Sequence, residues 1–565
     1  MSIQEELRSR NPFASTAASN PWDNAYPTVS SLNNEIRDRI VDLVQNKAQQ
    51  PCAPMAGLVL GDAGAGKTHM LKRILSQIQE NQLPTVFVCV RAFTMGEKVY
   101  RDLWQGMFIS MSRSCGRNEK HTRFNVMASQ LMNDCRRQAA IAGKSNPEVS
   151  ESVRYLQSEL PGFHGDFARA LLAYCDPNSE KKRQMALGWL QGEADEDSGR
   201  MLGVKDRSVM SESDLEREAQ RLILSLGLVL ARCKTSMLLC FDQLDGMRGS
   251  DLINAWGDAV AFLVNDVSCV LPMAFVRADT WYELFGKTLD NAVVERFVNK
   301  FPLKNCTLEQ AEELIRVRAG AFFPSGAEEK SDWILDRLRG KLKNGSSPRV
   351  VLDLANRVVV WGEEKGASSL FDCFDRTLRD ERGKLTDDLA SYPPNSEHLL
   401  RALEIYLQSV QNFENVERQD TGKKYIFLTG RANNLEHAFI INTEKNAAAT
   451  SAALKRGVRF LEENPFGTCR YITDKRCGFK EREQWPSVYK EMDKFMSLSG
   501  KALLLDERRL VIWYALASLR SRTENGDITY LSGDGERAAD LKDLALYLKQ
   551  GFKDDILEDI YLEDI

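Results

Sequence analysis

The residues with the clearest chemical meaning are a glycine-rich run that ends in a lysine and a threonine. Residues 61–68 read Gly-Asp-Ala-Gly-Ala-Gly-Lys-Thr, which matches the G-x-x-x-x-G-K-[ST] pattern of phosphate-binding loops. Glycines let backbone N–H groups converge on a phosphate at a helix N-terminus. The pattern assigns Lys67 to the β- and γ-phosphates and Thr68 to Mg²⁺. The predicted cofactor-binding residues here are Gly61, Gly64, Ala65, Gly66, Lys67, Thr68 and His69.

Such a loop needs an acidic residue at the end of a neighbouring strand to help hold Mg²⁺. The apolar run Met237–Phe241 ends at Asp242, so we predict that Thr68 and Asp242 hold the metal. Gln243 comes next, and a neutral amide can orient a water molecule but cannot accept its proton. Asp245 is a candidate base, although a helix cap or a surface acid would explain it equally well.

The segments around these residues predict a parallel sheet. Leu58–Leu60 forms a short buried strand before the loop, a helix with one apolar face follows, and Val86–Val90 forms the next strand. A strand–helix–strand order favours parallel pairing. Met237–Phe241 and Pro272–Val276 are two further core strands. The stretch between the second and third strands is far longer than a crossover of about a dozen residues, which predicts a helical insertion near 115–215.

The order of the later motifs resembles the initiator-type AAA+ ATPases, which include origin-recognition proteins, transposition regulators and the related STAND ATPases. These motifs are Asp-x-x-Asp at 242–245, Val-Glu-Arg-Phe at 294–297, Leu-Glu-Gln-Ala at 308–311 and Ser-Pro-Arg at 347–349. The resemblance implies an α/β fold with a P-loop AAA+ core and a helical lid. It also implies that ATP and Mg²⁺ are bound.

The resemblance implies roles for two arginines. Arg296 falls where this clade has an arginine finger, which reaches the γ-phosphate bound by a neighbouring subunit, so a homo-oligomer is implied. Arg349 matches the lid arginine that contacts the nucleotide of its own subunit. A guanidinium suits both roles because it is planar and always charged. Ion pairs on the surface or in the lid would also explain these arginines.

Two positions depart from the family pattern. These ATPases usually have glutamate where this chain has Gln243. They also usually have asparagine or threonine at the end of the strand that corresponds to Pro272–Val276, whereas this chain continues with Arg-Ala-Asp at 277–279. Both departures put fast turnover in doubt. We therefore expect slow ATP hydrolysis, with catalytic roles for Asp242, Gln243, Asp245 and Arg296.

A shorter resemblance concerns the predicted insertion. Residues 186–193, Ala-Leu-Gly-Trp-Leu-Gln-Gly-Glu, and 202–204, Leu-Gly-Val, are similar to a stretch in ATPases of BREX-type phage-defence systems. The resemblance implies a setting in bacterial phage defence or mobile-element control. An amphipathic helix with Trp189 in the core would explain the same residues.

The C-terminal part has its own pattern of short strands, at Tyr425–Leu428, Ala438–Ile441, Cys469–Ile472 and Ala502–Leu505. Alternation with helices predicts a mixed α/β domain, and the order resembles the restriction-endonuclease-like fold. Metal-dependent cleavage would need an acid on one strand and acid-x-Lys on the next. Residues 444–445 are Glu-Lys without a spacer, so we do not expect an active nuclease, and the pattern allows a degenerate domain that only binds.

A basic segment over residues 455–482 is the predicted nucleic-acid surface. It holds eight basic and four acidic residues, with aromatic residues between or beside them. Basic groups neutralise phosphates and aromatic rings stack on bases, although a solvated face over a core would look similar. The predicted DNA contacts are Lys455, Arg456, Arg459, Lys475 and Arg476. A second basic cluster lies in the insertion, at Arg113, Arg117, Lys120, His121 and Arg123.

Composition bounds the class of protein. The 565 residues allow three or four domains, and a net charge of −5 means that any nucleic-acid surface must be a local patch. The start of the sequence lacks the apolar region of a secretory signal. Twelve cysteines without a CxxC pair predict reduced thiols in a cytoplasm. We expect no membrane association.

The predicted function is an ATP-dependent, oligomerising ATPase that acts on or with DNA. The alternative is an ATP-switched signalling or scaffold protein that recruits a protein effector without binding nucleic acid. An effector or co-encoded protein is an expected partner. The tail holds six acids and no base, which suits docking on a basic partner as well as an unstructured end.

The predicted parts are an arm at 1–30 that wraps a neighbour, a core at 31–304, a lid and linker helix at 305–385, an α/β domain at 386–553 and the acidic tail at 554–565.

Overall fold

The chain divides into two compact units, Met1–Lys365 and Gly366–Ile565, which we describe separately. The computed structural model describes all residues except 1, 15–20, 23–26, 92–97, 113–121, 142–148, 177–178, 193–195, 248, 362–369, 390–391, 393, 410–412, 420–424, 433–434, 445–446, 525, 527, 533–534, 551 and 553–565.

A five-stranded parallel sheet with the order β2-β3-β4-β1-β5 forms the centre of the first unit. Because every pair is parallel, the carboxyl ends of all five strands meet at one edge. Strands β3 and β4 are buried along their whole length, as expected when helices cover both faces. The strands are β1 Gly57–Leu60, β2 Thr85–Arg91, β3 Ser236–Asp242, β4 Val270–Val276 and β5 Asn299–Pro302.

Helices cover the two faces of this sheet with separate apolar cores. Helices Asn34–Gln49 and Lys67–Glu80 pack on one face. The other face is covered by Val99–Met111, Glu212–Arg232 and Ser250–Asn265. Between β2 and β3 lie the helices Val99–Met111, Arg123–Ile141, Val149–Glu159, Gly165–Tyr174, Glu180–Leu190, Glu196–Leu202 and Glu212–Arg232. The five helices from Arg123–Ile141 to Glu196–Leu202 fall within the range of the predicted insertion.

Short helical segments connect β3 and β4 to the elements that follow them. They are the 3₁₀ turn Leu244–Gly246, the helices Ala278–Thr280, Gly286–Thr288 and Asn291–Val294, and a π-helical stretch at Trp281–Phe285. Another 3₁₀ turn, Arg207–Val209, lies before helix Glu212–Arg232. The ring of Phe297 contacts the rings of both Trp256 and Trp281 beneath this region. Their contacts fix the path of the chain between β4 and β5.

A three-helix lid follows β5, with helices Leu308–Phe322, Ala327–Leu338 and Pro348–Trp361. The first of them begins with a capping box in which Thr307 and Gln310 bond each other's backbone N–H groups. The three helices share one apolar core, so the lid is a packed body of its own.

The N-terminal arm differs from its predicted form. Residues Ile3–Ser9 form a helix, and Leu7 and Phe13 are fully buried in the core of the lid. The Lys330 ammonium lies 2.8 Å from the Glu6 carboxylate. The described part of the arm therefore packs on its own lid, because its apolar side chains complete the lid core, whereas the sequence predicted an arm that wraps a neighbouring molecule.

The second unit contains a mixed sheet with the order β10-β9-β8-β7-β6. Strands β6, β7 and β8 pair antiparallel, while β8, β9 and β10 pair parallel. The strands are β6 Phe413–Gln419, β7 Ile426–Ala432, β8 Leu435–Ile441, β9 Thr468–Asp474 and β10 Lys501–Leu505, with a hairpin of β11 Thr529–Ser532 and β12 Gly535–Ala538. The helices are Leu370–Asp388, Ser396–Ser409, Ala447–Glu463, Pro486–Ser497, Glu507–Glu524 and Leu541–Gln550, with a 3₁₀ turn at Lys475–Cys477.

The predicted fold class is confirmed in its architecture: a parallel α/β core with a phosphate-binding loop, a helical insertion, a helical lid and a mixed α/β C-terminal unit. The division of the chain after Lys365 differs from the predicted boundary, because helix Leu370–Asp388 belongs to the second unit and not to the lid. None of the described helices is long and apolar enough to cross a lipid bilayer.

Candidate nucleotide-binding site

The glycine-rich loop connects the carboxyl end of β1 to helix Lys67–Glu80. Gly64 and Gly66 have φ of 78° and 91°, a region that glycine adopts without steric cost. Gly66 is also the N-cap of the helix, and it has no side chain that could bond the N–H groups of the first turn. These N–H groups and the positive end of the helix dipole suit a phosphate.

Lys67 is held by the loop itself. Its Nζ donates hydrogen bonds to the carbonyl oxygens of Gly61 (2.8 Å) and Asp62 (3.3 Å). The same nitrogen lies 3.8 Å from a carboxylate oxygen of Asp245. The ammonium is therefore already at the loop, where a small rotation of its stem would bring it to a phosphate.

Thr68 and Asp242 meet at the carboxyl edge of the sheet. The Thr68 hydroxyl donates a 2.9 Å hydrogen bond to Asp242 Oδ2, and the backbone N–H of Gln243 donates to Oδ1. Burial raises the pKa of Asp242, while the hydrogen bond from Thr68 and the charges of Lys67 and Arg91 act in the opposite direction. A hydroxyl and a carboxylate side by side are hard oxygen ligands that suit Mg²⁺.

This pair would supply only part of a magnesium coordination shell. Among the described residues, no group of three or more His, Cys, Asp or Glu side chains could hold a metal. Mg²⁺ commonly keeps waters and binds one or two protein groups together with substrate phosphates. Thr68 and Asp242 fit that mode of binding.

Asp245 joins the ends of two strands. Its Oδ1 accepts a 2.8 Å hydrogen bond from the backbone N–H of Arg277, the residue after β4. Gln243 adopts a left-handed conformation with φ of 60°, which starts the turn that brings Asp245 back towards Lys67. Asp245 is thus a buried acid at the site, and it supports the loop as well as being the candidate base. The guanidinium of Arg277 pairs with Asp279.

The lid reaches the phosphate-binding loop through Arg349. The backbone N–H of Arg349 donates to the Gly64 carbonyl at 3.4 Å. A Cβ added to Gly64 would lie 2.6 Å from Cβ of Arg349. The N-terminus of helix Pro348–Trp361 therefore faces the loop, and the backbone of Arg349 lies against it.

We expect Gly64→Ala to lower the free energy of unfolding of the first unit. Left-handed φ alone costs an alanine about 1 kcal/mol, and a contact of 2.6 Å must also be relieved, so the total loss should be about 2–4 kcal/mol. Gly192→Ala is the matched control, since Gly192 has φ of 89° but nothing within 4 Å of its added Cβ. Urea unfolding measures both, and equal losses would contradict the close approach of the lid.

His69 follows Thr68 on the first turn of the helix. Burial, with help from the charges of Arg73, Lys72 and Arg318, lowers its pKa to about 4. The imidazole is therefore neutral at neutral pH and adds no positive charge to the site. Arg73 belongs to helix Lys67–Glu80 and Arg318 belongs to the lid, so His69 lies where this helix and the lid come close together.

The lowered pKa of His69 predicts a loss of stability in mild acid. The unfolded chain binds a proton on this histidine near pH 6.5, whereas the folded chain does so only near about pH 4, so stability falls as the pH drops between these values. From about pH 7.5 to about pH 5, wild type should lose roughly 2 kcal/mol more than His69→Gln. Urea unfolding of the two proteins at both pH values measures the difference, and parallel losses would contradict the prediction.

Arg296 lies at the opposite edge of the sheet from the loop. β5 begins at Asn299, which pairs with Gly57, the first residue of β1. Arg296 comes shortly before Asn299 in the chain, so it lies at the amino ends of these two strands. Its guanidinium bonds the Ala292 carbonyl and lies 3.5 Å from the Asn265 side-chain oxygen. The guanidinium of Arg296 is separated from the glycine-rich loop of its own chain by the length of β1, which is about 10 Å at 3.3 Å per residue.

The predicted nucleic-acid residues of the second unit divide into two groups. Arg476 is tied to its surroundings, since it bonds the buried carboxylate of Asp474 and the carbonyls of Leu389 and Tyr392. Arg456 donates to Gln419 and lies over the ring of Phe427. Both arginines therefore hold the unit together.

The remaining three predicted contacts are exposed. Lys455 lies 4.0 Å from a carboxylate oxygen of Glu491, and Arg459 bonds Glu463 one helical turn away at 2.8 Å. Lys475 is exposed at the carboxyl end of β9. Surface ion pairs of this kind contribute little energy, so these three cations can exchange partners. The cluster Arg113, Arg117, Lys120 and His121, the side chain of Arg123, and the acidic tail lie outside the described residues.

Comparison with known proteins gives a limited result. No family model matches the sequence, and no curated protein is similar to it. Among solved structures, Cdc6p from Pyrobaculum aerophilum matches with a TM-score of 0.30 and 11% identity, over 96% of this chain and 98% of that chain.

Two further structures are from Aeropyrum pernix. The ORC2 protein matches with a TM-score of 0.30 and 13% identity, over 67% of this chain and 81% of that chain. The ORC1 protein in complex with DNA matches with a TM-score of 0.30 and 12% identity, over 89% of this chain and 97% of that chain. Superposition at this level is poor.

One residue near the site was missed by sequence reasoning. Arg91 is the last residue of β2 and stands in register with Asp242 on β3, and its charge acts against the rise that burial causes in the pKa of Asp242. A basic residue at the end of an apolar strand was the available signal. It could not be used without knowing that β2 and β3 are neighbours.

Proposed function

We propose that this protein is a Mg²⁺-dependent ATPase of the AAA+ type. The observation that carries the proposal is the 2.9 Å hydrogen bond between Thr68 and Asp242 beside the uncapped N-terminus of helix Lys67–Glu80. This places a hydroxyl, a carboxylate, an ammonium and backbone N–H groups around one edge of the sheet. Together they suit a polyphosphate with its metal ion.

Each residue has a distinct task in the proposed reaction. Lys67 leaves the loop carbonyls and neutralises phosphate charge, while Thr68 and Asp242 hold Mg²⁺, which when bound stabilises the charge that develops on the phosphates. Gln243 orients the attacking water. Asp245 is the nearby buried carboxylate that can accept a proton, and its hydrogen bond to the Arg277 N–H holds it in place.

The position of Arg296 favours action between subunits. It cannot reach the loop of its own subunit from the opposite edge of the sheet, whereas a neighbouring copy could bring its loop to this edge. Val298 and Tyr282 are 71% and 53% exposed, and Lys300 lies over the ring of Tyr282. Large apolar and aromatic side chains that are exposed close together are typical of an interaction surface.

We further propose that the assembled protein acts with DNA through Lys455, Arg459 and Lys475. A specific observation also favours a second candidate, an ATP-switched scaffold that recruits a protein effector. Arg456 and Arg476 are engaged inside the second unit, so the basic segment offers fewer free cations than its sequence suggests. Phage defence or mobile-element control remains a prediction from the sequence.

The assembly is tested by mass photometry with and without ATP–Mg²⁺. We expect wild type to assemble with ATP and Arg296→Ala to remain unassembled. The ATPase rate of Arg296→Ala should fall at least tenfold, a loss typical of a transition-state arginine. Its affinity for ATP should stay within about twofold of wild type. Arg339→Ala is the matched control, since Arg339 is 84% exposed on the lid. An Arg296→Ala protein that assembles and hydrolyses ATP like wild type would contradict the intersubunit role.

A DNA arm in the same experiment separates the two candidate functions. A duplex of mixed sequence should be retained by wild type at low salt and lost at high salt. Charge reversal of Lys455, Arg459 and Lys475 should abolish this retention. If wild type assembles with ATP but ignores DNA, the scaffold function is correct.

A further inference from the structure

A buried lysine lies beside two cysteines at the amino edge of the central sheet. Lys47 is in the last turn of helix Asn34–Gln49 and is fully buried. Its Nζ donates a 2.6 Å hydrogen bond to the Ala53 carbonyl. Among the described residues, no carboxylate lies within ion-pair distance of this nitrogen. Burial of an ammonium without a counter-charge is costly, so the groups around Lys47 must account for its position.

Those neighbours are Cys52 and Cys269. Cys52 is exposed in the segment between the helix and β1, and its Sγ lies 3.9 Å from the Ser268 hydroxyl. Cys269 is 1% exposed and immediately precedes β4. Burial lowers the pKa of the Lys47 ammonium. Burial raises the pKa of the Cys269 thiol to about 11, and the charge of Lys47 acts against this rise.

Backbone geometry permits a bond between the two cysteines. The N–H of Cys269 donates a 2.9 Å hydrogen bond to the carbonyl oxygen of Pro51, the residue before Cys52. With standard backbone dimensions, this contact keeps the Cα atoms of the two cysteines within about 7 Å of each other. Disulfides span Cα distances of roughly 4.4–6.8 Å. Cys269 also has φ of 63°, a conformation that non-glycine residues keep only where the surroundings impose it.

We propose that Cys52 and Cys269 form a dithiol that hydroperoxides oxidise to a disulfide, and that Lys47 assists this reaction. Cys52 is the attacking residue because it is exposed, and Cys269 is the resolving residue because it is buried. Lys47 acts through the thiols and is a positioning residue. Oxidation of this dithiol does not require ATP binding.

The two steps balance in atoms and electrons. The Cys52 thiolate attacks one oxygen of the hydroperoxide, an S–O bond forms, the O–O bond breaks, and the leaving oxygen takes a proton to become water or an alcohol. The sulfur of Cys269 then attacks the sulfur of Cys52, the S–S bond forms, the S–O bond breaks, and water leaves with the proton from Cys269. Two thiols are oxidised and one peroxide is reduced.

The bond would fasten two segments that lie far apart in the sequence. Cys52 precedes β1 and Cys269 precedes β4, and these strands are neighbours in the sheet. A cross-link that closes a long loop restricts the unfolded chain most strongly. Oxidation should therefore raise the Tm of the first unit.

The test treats the full chain with hydrogen peroxide, traps the remaining thiols with N-ethylmaleimide and maps the peptides by mass spectrometry. We expect a peptide pair joined through Cys52 and Cys269, and its loss in Cys52→Ser. The internal control is Cys89 and Cys240, which stand in register on β2 and β3 and should stay reduced. Cys52 found only as sulfenic or sulfinic acid, or equally fast oxidation of the control pair, would overturn the proposal.

The role of Lys47 is tested by the pH profile of the oxidation rate. At neutral pH, Lys47→Met should react at least tenfold more slowly than wild type, and higher pH should restore its rate, because the lost cation no longer favours the thiolate. Lys47→Arg keeps the charge and should retain most of the rate. If Lys47→Met and wild type share one pH profile, or if Lys47→Arg is as slow as Lys47→Met, Lys47 has no such role.

Discussion

Replacing Lys67 with alanine should abolish ATP binding at concentrations at which wild type is saturated. An ammonium near a phosphate oxygen gains about 4 kcal/mol at an effective dielectric constant of about 20. Allowing for the hydrogen bonds that Lys67 makes with Gly61 and Asp62, we expect a loss of about 3 kcal/mol, which is roughly a hundredfold in Kd. Isothermal titration calorimetry with ATP–Mg²⁺ measures this loss.

The control for this variant is Lys287→Ala. Lys287 is an exposed lysine of the same unit that pairs with Glu283 one helical turn away. It should bind ATP like wild type, and both variants should keep a Tm within a few degrees of wild type because neither lysine fills an apolar core. A Lys67→Ala protein whose Kd for ATP stays within about threefold of wild type would refute the phosphate-binding loop.

Replacing Asp242 with asparagine should separate nucleotide binding from hydrolysis. Asparagine keeps the size of the side chain and can still accept the hydrogen bond from the Thr68 hydroxyl, but it lacks the charge that holds Mg²⁺. We expect ATP binding in the presence of EDTA to change little, and Mg²⁺-dependent kcat to fall by about a hundredfold or more. Phosphate release and nucleotide titration, each with and without Mg²⁺, measure the two effects.

The same variant has a second expected result, on stability. Burial raises the pKa of Asp242, so the folded chain holds its proton to a higher pH than the unfolded chain does. This group therefore contributes stability in acid that is lost as the pH rises through the raised pKa. At neutral pH the nucleotide-free Asp242→Asn protein should be as stable as wild type or more stable.

Asp332→Asn is the control for both results, because Asp332 is an exposed lid carboxylate that pairs with Arg316. It should leave kcat unchanged. If Asp242→Asn hydrolyses ATP at the wild-type rate, Asp242 does not hold the metal. If it is much less stable than wild type at neutral pH, the buried carboxylate is stabilising and the direction of its pKa shift is wrong.

The central elements could be predicted because their signals are local. A glycine-rich run between an apolar strand and an amphipathic helix has few other conformations available, and the apolar run before Asp242 is a buried strand. In the second unit, four strands were predicted for the same reason. β6 was missed because it is an edge strand with polar residues at most positions and a bulge between Glu414 and Glu417, so it lacks a period-two apolar pattern.

Other features depended on distant partners. The described arm looked irregular, yet Leu7 and Phe13 complete the core of the lid. Arg476 looked like a nucleic-acid contact, but it neutralises the buried Asp474. Composition shows that a segment is basic, whereas it does not show which of its charges are already paired.

The sequence by itself determined the residues that can bind a polyphosphate and the strands that hold them, because spacing along the chain sets both. Tertiary structure alone decided that Asp245 bonds the N–H of Arg277, that Arg349 meets Gly64, and that Arg296 lies at the far edge of the sheet. Those relations join segments that are far apart in the chain, and the order and direction of the strands bring them together or keep them apart.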